Sequence, residues 1–179
     1  MKLLPTLGLL AAVAMSAIAP ANAQTAAGDT LVIETSKGEI DVKLRPDLAP
    51  KHVEQIKALA KEGFYNGVVF HRVIDGFMAQ TGDPTGTGMG GSDKPDLKAE
   101  FSDTPFKRGT VGMARAQDPN SANSQFFIML ADGDFLNGQY TVVGEVTKGM
   151  DVVDKIKKGD EANNGTVENP DKMVKVETR

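Results

Sequence analysis

Two segments combine large apolar side chains with strong hydrogen-bonding groups, a mixture that is unusual for a hydrophobic core. The segments are residues 70–80 and residues 124–128. Arg72 belongs to the first of them, and an isolated buried guanidinium is heavily penalised. Arg72 must therefore find hydrogen-bond partners within the protein or act as a hydrogen-bond donor to a ligand.

Few side chains elsewhere in the chain are suited to covalent chemistry. There is no cysteine, which excludes a thiol nucleophile, a thiolate metal site and a disulfide. The only histidines are His52 and His71, and no G-x-S-x-G sequence marks a nucleophilic serine, so a hydrolase triad is poorly supported. For His52, at the margin of an apolar helix stripe, we expect a partly exposed residue in the first turn.

Three motifs match known patterns only in part. The glycines of residues 86–91 have G-x-G-x-x-G spacing but do not lead into a helix, which argues against nucleotide binding and favours turns. Residues 132–138 begin like a calcium loop, but apolar residues occupy two of the ligand positions of that pattern. Asn164-Gly165-Thr166 is a formal N-glycosylation acceptor, which matters only in a cell that glycosylates such sites.

The charge balance is mildly acidic, with 24 acidic and 20 basic residues and a formal net charge of −4. Charges are mixed along the chain, and no basic block stands out. Binding to nucleic acid depends on Lys and Arg contacts to phosphates. We therefore expect no nucleic-acid partner.

The N-terminus has the features of a secretory signal peptide. Lys2 precedes an apolar run at residues 7–19, and Ala21-Asn22-Ala23 has the A-x-A pattern of a cleavage site. The run is shorter than the ~20 residues that a membrane-spanning helix needs. We predict a signal peptide at residues 1–23, a single mature domain at residues 24–179, and no membrane association after cleavage.

Apolar periodicity predicts the first elements that must position these side chains. Residues 31–35 and 39–44 read as two strands around a glycine-containing turn, so we predict a hairpin. Pro50 then stands where a first helical residue is favoured, apolar residues recur at helical spacing up to Ala60, and Gly63 follows the end. This pattern predicts an amphipathic helix.

The rest of the chain reads mainly as short strands. Five β-rich runs follow at residues 68–74, 77–80, 110–114, 126–130 and 140–146. A second amphipathic helix is predicted from Met150 to Ile156, closed by Gly159, and a last strand at residues 173–176. Many short strands with two helices favour an antiparallel barrel or sandwich and disfavour a doubly wound nucleotide-binding fold.

Four sequence blocks occur in order along the chain: Phe70-His71-Arg72, Gly76-Phe77-Met78-Ala79-Gln80, Met113-Ala114-Arg115 and Ser124-Gln125-Phe126-Phe127-Ile128. Together they resemble the cyclophilin family of peptidyl-prolyl cis/trans isomerases, over most of the chain. The resemblance implies a mainly β fold, a closed eight-stranded antiparallel β-barrel capped by two α-helices. It also implies isomerisation of X-Pro bonds in unfolded or extended client proteins, assisting their folding, with no metal or cofactor.

The resemblance also implies roles for individual residues. Arg72 is the predicted catalytic residue, which stabilises the twisted amide without a covalent step while an apolar pocket holds the proline ring. The predicted substrate-binding residues are His71, Phe77, Met78, Gln80, Ala114, Arg115, Gln125, Phe127, Phe135, Leu136 and Tyr140. For His71 a hydrogen-bonded structural role stays open beside a substrate contact.

Three positions differ from the best-known eukaryotic members of that family. Phe135 stands where many carry tryptophan, Tyr140 where many carry histidine, and Arg115 where many carry asparagine. Without the indole N–H a donor is lost, so we expect weak or no cyclosporin binding. Phe135 and Tyr140 resemble the bacterial periplasmic pattern. With the signal peptide, they predict a protein that is secreted across the inner membrane into the periplasm. We also expect a monomer.

Two other functions stay open from the sequence. One is a chaperone that uses the same groove to hold proline-containing peptides without turnover, although Arg72, Gln80 and Phe127 together favour catalysis. A lipocalin-like carrier of small molecules needs a roomy barrel, whereas the many large apolar residues here predict a filled one.

Overall fold

The computed structural model describes residues 28–179, so the predicted signal peptide and residues 24–27 lie outside the described residues. Eight strands form one antiparallel sheet: β1 (Thr30–Thr35), β2 (Gly38–Leu44), β3 (Arg72–Ile74), β4 (Met78–Thr81), β5 (Thr110–Met113), β6 (Phe126–Met129), β7 (Val142–Lys148) and β8 (Met173–Thr178). The described residues also contain two α-helices, α1 (Pro50–Lys61) and α2 (Met150–Asp154). Short 3-10 helices occupy Asp134–Leu136 and Glu161–Asn163. The predicted mainly β fold with eight strands and two helices is confirmed.

The sheet curls so that its two ends approach each other. Its strand order is β3-β4-β6-β5-β7-β2-β1-β8, which leaves β3 and β8 at the edges. Val69 forms an antiparallel bridge with Lys172, and the N–H of Met173 donates to the carbonyl of Val68 at 2.9 Å. These bonds lie beside the edge strands, so the barrel closes through the segments next to β3 and β8.

Side chains from the strands and from both helices fill the inside of the barrel. Strand residues point alternately inward and outward, because the side-chain period of a strand is two. Ile33, Val42 and Ile128 point inward and are fully buried, as is Val153 of α2. The filled interior matches the sequence-based expectation and disfavours the lipocalin-like carrier.

Helix α1 begins at Pro50, as predicted, and buries its apolar stripe in the barrel core. The residue before it, Ala49, provides no side-chain cap for the unpaired N–H groups of the first turn. The carboxylate of Glu100 accepts hydrogen bonds from the backbone N–H groups of Lys51 and His52, at 3.1 Å each. A distant loop therefore caps this helix.

The same loop overturns the expectation for His52. Its side chain is fully buried, and its Nδ1 lies 2.7 Å from Oε2 of Glu100. The helix pattern alone places His52 at the margin of the apolar stripe, but the loop that carries Glu100 covers that margin. The prediction of a partly exposed histidine was wrong.

The second helix is shorter than predicted. It ends at Asp154, and the chain continues in turns in which the N–H of Ile156 donates to the carbonyl of Val153 at 3.2 Å. Ile156 is 1 % exposed and still packs into the core. The apolar spacing therefore indicated the buried residues correctly, while the turn ended the helix early.

No helix within residues 28–179 has the length and apolar character needed to cross a bilayer.

Candidate active site

Arg72, Gln80 and Phe127 lie side by side on the outer face of the sheet. Arg72 on β3 is the cross-strand partner of Gln80 on β4, and Gln80 is the partner of Phe127 on β6. Residues directly opposite each other in antiparallel strands project from the same face. The register of three strands thus brings a cation, an amide and an aromatic ring into one row.

This row forms part of a depression of about 370 Å³, which we call the aromatic pocket. It is lined by Arg72, Phe77, Met78, Gln80, Ala114, Arg115, Phe127, Phe135, Leu136, Gln139 and Tyr140. Ten of these eleven were selected from the sequence, Gln139 being the exception. Gln139 is a polar residue in a turn, and no sequence signal distinguishes it.

A second depression, of about 590 Å³, continues from the first, and we call it the polar groove. Its lining comprises Gln80, Gly88, Met89, Gly90, Gly91, Ser92, Asp96, Ala114, Arg115, Ala116, Ser121, Asn123 and Gln125. Gln80, Ala114 and Arg115 line both depressions. Gln125, a predicted substrate contact, lies in this groove, and the glycine-rich stretch forms one wall of it.

Neutral oxygens hold the guanidinium of Arg72 in place. Its Nη1 donates to Oε1 of Gln80 at 3.2 Å, its Nε to the carbonyl of Asn164 at 2.9 Å, and its Nη2 to Oδ1 of Asn164 at 2.9 Å. Burial lowers the pKa of Arg72, but an arginine begins so high that it stays protonated. The charge is therefore fixed in position without being neutralised by any of these partners.

A chain of amide groups connects Arg72 to the glycine-rich wall of the polar groove. Nε2 of Gln80 donates to Oε1 of Gln125 at 2.9 Å. Nε2 of Gln125 in turn donates to the carbonyls of Gly88 and Gly90, at 3.0 and 2.9 Å. The orientation of Gln80, and with it one of the bonds to Arg72, depends on this network.

Asn164 was not predicted as a partner of Arg72, because in the sequence it stands out only as a formal glycosylation acceptor. Asn164 has a left-handed backbone with a φ of 53°, which asparagine tolerates better than most residues. An antiparallel bridge between Arg72 and Thr166 brings its loop against β3. The Asn-Gly pair indicates a turn, but nothing local indicates where that turn packs.

Buried apolar side chains form the floor of the aromatic pocket. Met78, Phe127 and Leu136 are 2 %, 5 % and 7 % exposed, and Phe77 packs beside them. Phe135 stands at the rim with 66 % of its surface exposed, 5.5 Å from Phe77 between ring centroids. All five were predicted to contact substrate, and the fold brings them together.

A glycine makes room for this floor. A Cβ at Gly112 would lie 2.6 Å from ring atoms of both Phe106 and Phe127. Those two rings are stacked with centroids 5.8 Å apart, and Tyr140 meets Phe127 edge-on at the same separation. The absence of a side chain at this position lets the aromatic rings pack closely behind the pocket.

Arg115 brings its side chain, and not only its main chain, to the pocket. Its guanidinium carbon lies 4.5 Å from the centre of the Tyr140 ring, within the range of a cation–π interaction. Its Nη1 donates to the carbonyl of Ala116 at 2.9 Å and its Nη2 to that of Gln139 at 3.0 Å. Arg115 was predicted to bind substrate, and in the structure its charged side chain lines the aromatic pocket.

His71 is the one predicted substrate contact that lines neither depression. Its side chain is 6 % exposed and packs against Gly88. Neither ring nitrogen meets a hydrogen-bond partner in the described part of the chain, and burial lowers the pKa of the imidazole. His71 therefore lines neither depression, and both of its predicted roles, a substrate contact and a hydrogen-bonded structural group, stay predictions.

The sequence of this domain matches an established family. The family model described as cyclophilin type peptidyl-prolyl cis-trans isomerase/CLD matches residues 30–178. The chain belongs to this family and is a peptidyl-prolyl cis-trans isomerase of the cyclophilin type.

Individual relatives agree with this placement. A Brucella suis biovar 1 (strain 1330) protein described as a probable peptidyl-prolyl cis-trans isomerase is 60 % identical over 181 residues, covering 93 % of this chain and 92 % of the relative. The crystal structure of cyclophilin AquaCyp293 from Hirschia baltica superposes with a TM-score of 0.74 at 29 % identity, covering 83 % of this chain and 73 % of that one. A Cryptosporidium parvum cyclophilin type isomerase, crystallised in the presence of the dipeptide Ala-Pro, gives a TM-score of 0.77 at 28 % identity, covering 84 % and 98 %.

Proposed function

We propose that this isomerase acts on X-Pro bonds in unfolded or extended polypeptides, with Arg72 stabilising the twisted amide while the aromatic pocket holds the proline ring. The observation that carries the proposal is a guanidinium fixed by neutral acceptors beside an apolar floor. The guanidinium and the apolar floor each meet one physical requirement of the reaction.

The first requirement concerns the barrier. Rotation about a peptide bond must cross about 18–20 kcal/mol, because the planar amide loses its conjugation as it twists. No bond is broken, so a catalyst needs only to bind the twisted amide more tightly than the planar one. A differential stabilisation of about 5 kcal/mol accelerates rotation by about four powers of ten.

Arg72 is suited to supply much of that difference. As the amide twists, the prolyl nitrogen becomes pyramidal and its lone pair can accept a hydrogen bond. A donor that is already oriented stabilises this state without reorganising at the moment of reaction. Gln80 and Asn164 provide such orientation, and because both accept through neutral oxygens, they leave the positive charge of Arg72 available.

The second requirement is to hold the proline ring while the amide turns. An apolar depression does this, and Met78, Phe127 and Leu136 form a buried floor of suitable character. The related Cryptosporidium parvum isomerase was crystallised in the presence of Ala-Pro, which supports a proline-containing ligand for this chain as well.

The shape of the site favours extended clients. The aromatic pocket continues into the polar groove, and the most exposed large apolar side chains near them are Phe135 at the pocket and Met89 at the groove. Only a flexible or exposed segment can lie along such a surface. We propose that the protein acts as a monomer on folding clients in the periplasm, without nucleic-acid or membrane partners, and that it binds cyclosporin weakly or not at all.

The test is isomerisation of a short Ala-Pro peptide and refolding of a protein limited by proline isomerisation. Arg72→Ala should lower kcat/KM about a hundredfold to a thousandfold, the loss typical of one transition-state hydrogen-bond donor. Arg72→Lys, which keeps the charge but not the planar fork, is the matched control and should recover only part of the activity. Equal refolding rates for wild type and Arg72→Ala, with peptide binding retained, would favour the chaperone instead.

Localisation is tested separately. Fractionation of cells that express the full chain should release the protein with the periplasmic contents and yield a mature N-terminus at Gln24. Recovery of an uncleaved chain in the cytoplasm would refute this part of the proposal.

A further inference from the structure

The aromatic pocket carries two cations and no anion. Arg72 and Arg115 both line it, and none of its lining residues is acidic. Among the ion pairs formed within residues 28–179, neither guanidinium has a carboxylate partner. The chain as a whole has more acidic than basic residues, so the charge of the pocket is opposite in sign to the net charge of the chain.

Arg115 is held rigidly at the boundary between the two depressions. Its donors go to the backbone carbonyls of Ala116, Gln117 and Gln139, at 2.9, 3.3 and 3.0 Å, and its guanidinium lies over the ring of Tyr140. All of these partners are neutral. A side chain that is already ordered loses little conformational entropy when a ligand binds beside it. Arg115 can therefore interact with a charged substrate with only a small entropic penalty.

We infer that Arg115 makes the site prefer substrates with an acidic side chain close to the proline. This inference names a substrate class for the proposed function and rests on it. The proline residue itself is uncharged, so the two guanidinium groups can discriminate only through its neighbours in the sequence.

The position of Arg115 indicates where that acidic residue lies. Gln80, Ala114 and Arg115 line both depressions, so a peptide that runs from the aromatic pocket into the polar groove passes Arg115. An extended chain advances about 3.3 Å per residue. The acidic side chain should therefore belong to the first or second residue from the proline, on the side that enters the groove.

The acidic side chain in the polar groove does not cancel this preference. Asp96 is exposed, where solvent and salt screen its charge, and its Oδ1 accepts a hydrogen bond from Asn123 at 3.0 Å. Arg115 is only partly exposed and lies on the wall common to both depressions. Asp96 thus lines only the polar groove, whereas Arg115 lines both depressions.

The experiment compares kcat/KM for short proline peptides that carry Glu, Gln or Lys at each of the two positions before and after the proline. A partly exposed ion pair contributes up to about 1 kcal/mol, so at one or more positions the Glu peptide should exceed the Gln peptide about two- to fivefold. The Lys peptide should be the slowest there. Raising the salt concentration should reduce the ratio of Glu to Gln.

Substitutions identify the group responsible. Arg115→Gln should bring the ratio close to one, and because it is a ratio, a general loss of activity does not affect it. Arg115→Lys should keep the ratio above one. The matched control is Lys61→Gln, which removes one positive charge from an exposed position in the last turn of α1, away from both depressions, and should leave the ratio unchanged.

The inference that Arg115 confers this preference has two outcomes that overturn it: a ratio near one at every position in the wild type at low salt, or a ratio that persists unchanged in Arg115→Gln. A neutral Ala-Pro peptide separates these outcomes from a failure of the proposed function. If the wild type does not accelerate its isomerisation, the proposed function is wrong. If it does while the ratio stays at one, only the preference for acidic substrates is wrong.

Discussion

The inner and outer faces of strands β3, β4, β5 and β6 differ in composition, because the inner face fills the core and the outer face forms the candidate site. The inner row of cross-strand partners consists of Val73, Ala79, Ile128 and Val111. The outer row, one residue away on each strand, consists of Arg72, Gln80, Phe127 and Gly112. The inner row is buried and wholly apolar. The outer row combines a charged side chain, an amide side chain, an aromatic ring and a glycine that has no side chain.

Residues that stabilise the fold and residues that form the site are therefore separated here by a single position in the sequence. A strand alternates its side chains between two faces, so one stretch of sequence can fill the core and build a site at the same time. The inner row has only to fill space, while each outer residue depends on a neighbour for its orientation. Substitutions on the inner row should therefore change mainly the free energy of unfolding, and substitutions on the outer row should change mainly kcat/KM.

The largest expected effect is on the inner row. Ile128→Ala removes buried methyl groups from a fully buried position and should lower the free energy of unfolding by about 2–5 kcal/mol, measured by urea denaturation. The kcat/KM of the folded fraction should stay close to that of the wild type. If activity falls while the unfolding free energy does not, the two faces are not separate in function.

The next effect comes from the loop that borders the outer face. Burial alone raises the pKa of the Asp83 carboxyl, but hydrogen bonds from Thr85 and Gly88 outweigh burial and lower the pKa to about 2. A lowered folded-state pKa means that the stabilisation is present above the unfolded-state pKa, near 4, and is lost as pH falls through about 2. This contribution amounts to about 2 kcal/mol.

Urea denaturation of wild type and Asp83→Asn at several pH values measures that contribution. The wild type should be the more stable protein at pH 7, and the two curves should converge as the pH approaches 2. A difference that stays constant over this range would mean that ionisation of Asp83 is not the cause.

A side chain in place of the glycine of the outer row should disturb the aromatic pocket more than it disturbs the core. Gly112→Ala places a methyl group against Phe106 and Phe127, an overpacking that costs about 1–3 kcal/mol. Because the ring of Phe127 must move, kcat/KM for an X-Pro peptide should fall about tenfold. Adding Phe106→Leu should restore part of the activity by making room, and no recovery in the double variant would exclude ring displacement as the cause.

The smallest expected effect tests the support of Arg72. Asn164→Gly removes the side-chain oxygen that accepts from Arg72 and keeps a residue that tolerates the left-handed backbone. Loss of one such hydrogen bond, about 1 kcal/mol, should lower kcat about fivefold and leave KM nearly unchanged. Asn169→Gly is the matched control, because Asn169 has a similar φ of 50° and is not among the partners of Arg72 within residues 28–179. Equal effects of the two substitutions would refute this positioning role.

Local patterns predicted much of the fold. The β1–β2 hairpin and the start of α1 agree with the sequence-based prediction, because period-two alternation and Pro50 act over a few residues. The end of α2 does not agree, since turns after Asp154 replace the predicted last helical turn. Site residues on strands were found through their resemblance to a family, and register explains why they converge.

Residues whose role depends on a distant partner were not predictable. His52 is buried because a loop carrying Glu100 folds over α1, and Asn164 meets Arg72 because a loop near the C-terminus packs against β3. His71 directly precedes Arg72 in the sequence and yet lines neither depression, so closeness in sequence to a site residue did not predict a place in the site.

By itself the sequence determined which stretches become strands and helices, which face of each is apolar, and that a cation lies among aromatic residues. These properties follow from the order of side chains over a few positions. Only the tertiary structure decided that Arg72 is held by Asn164, that Arg115 lies over Tyr140, and that no carboxylate lines the aromatic pocket. Such contacts join residues far apart in the chain, and they exist only once the curled sheet has brought its strands and loops together.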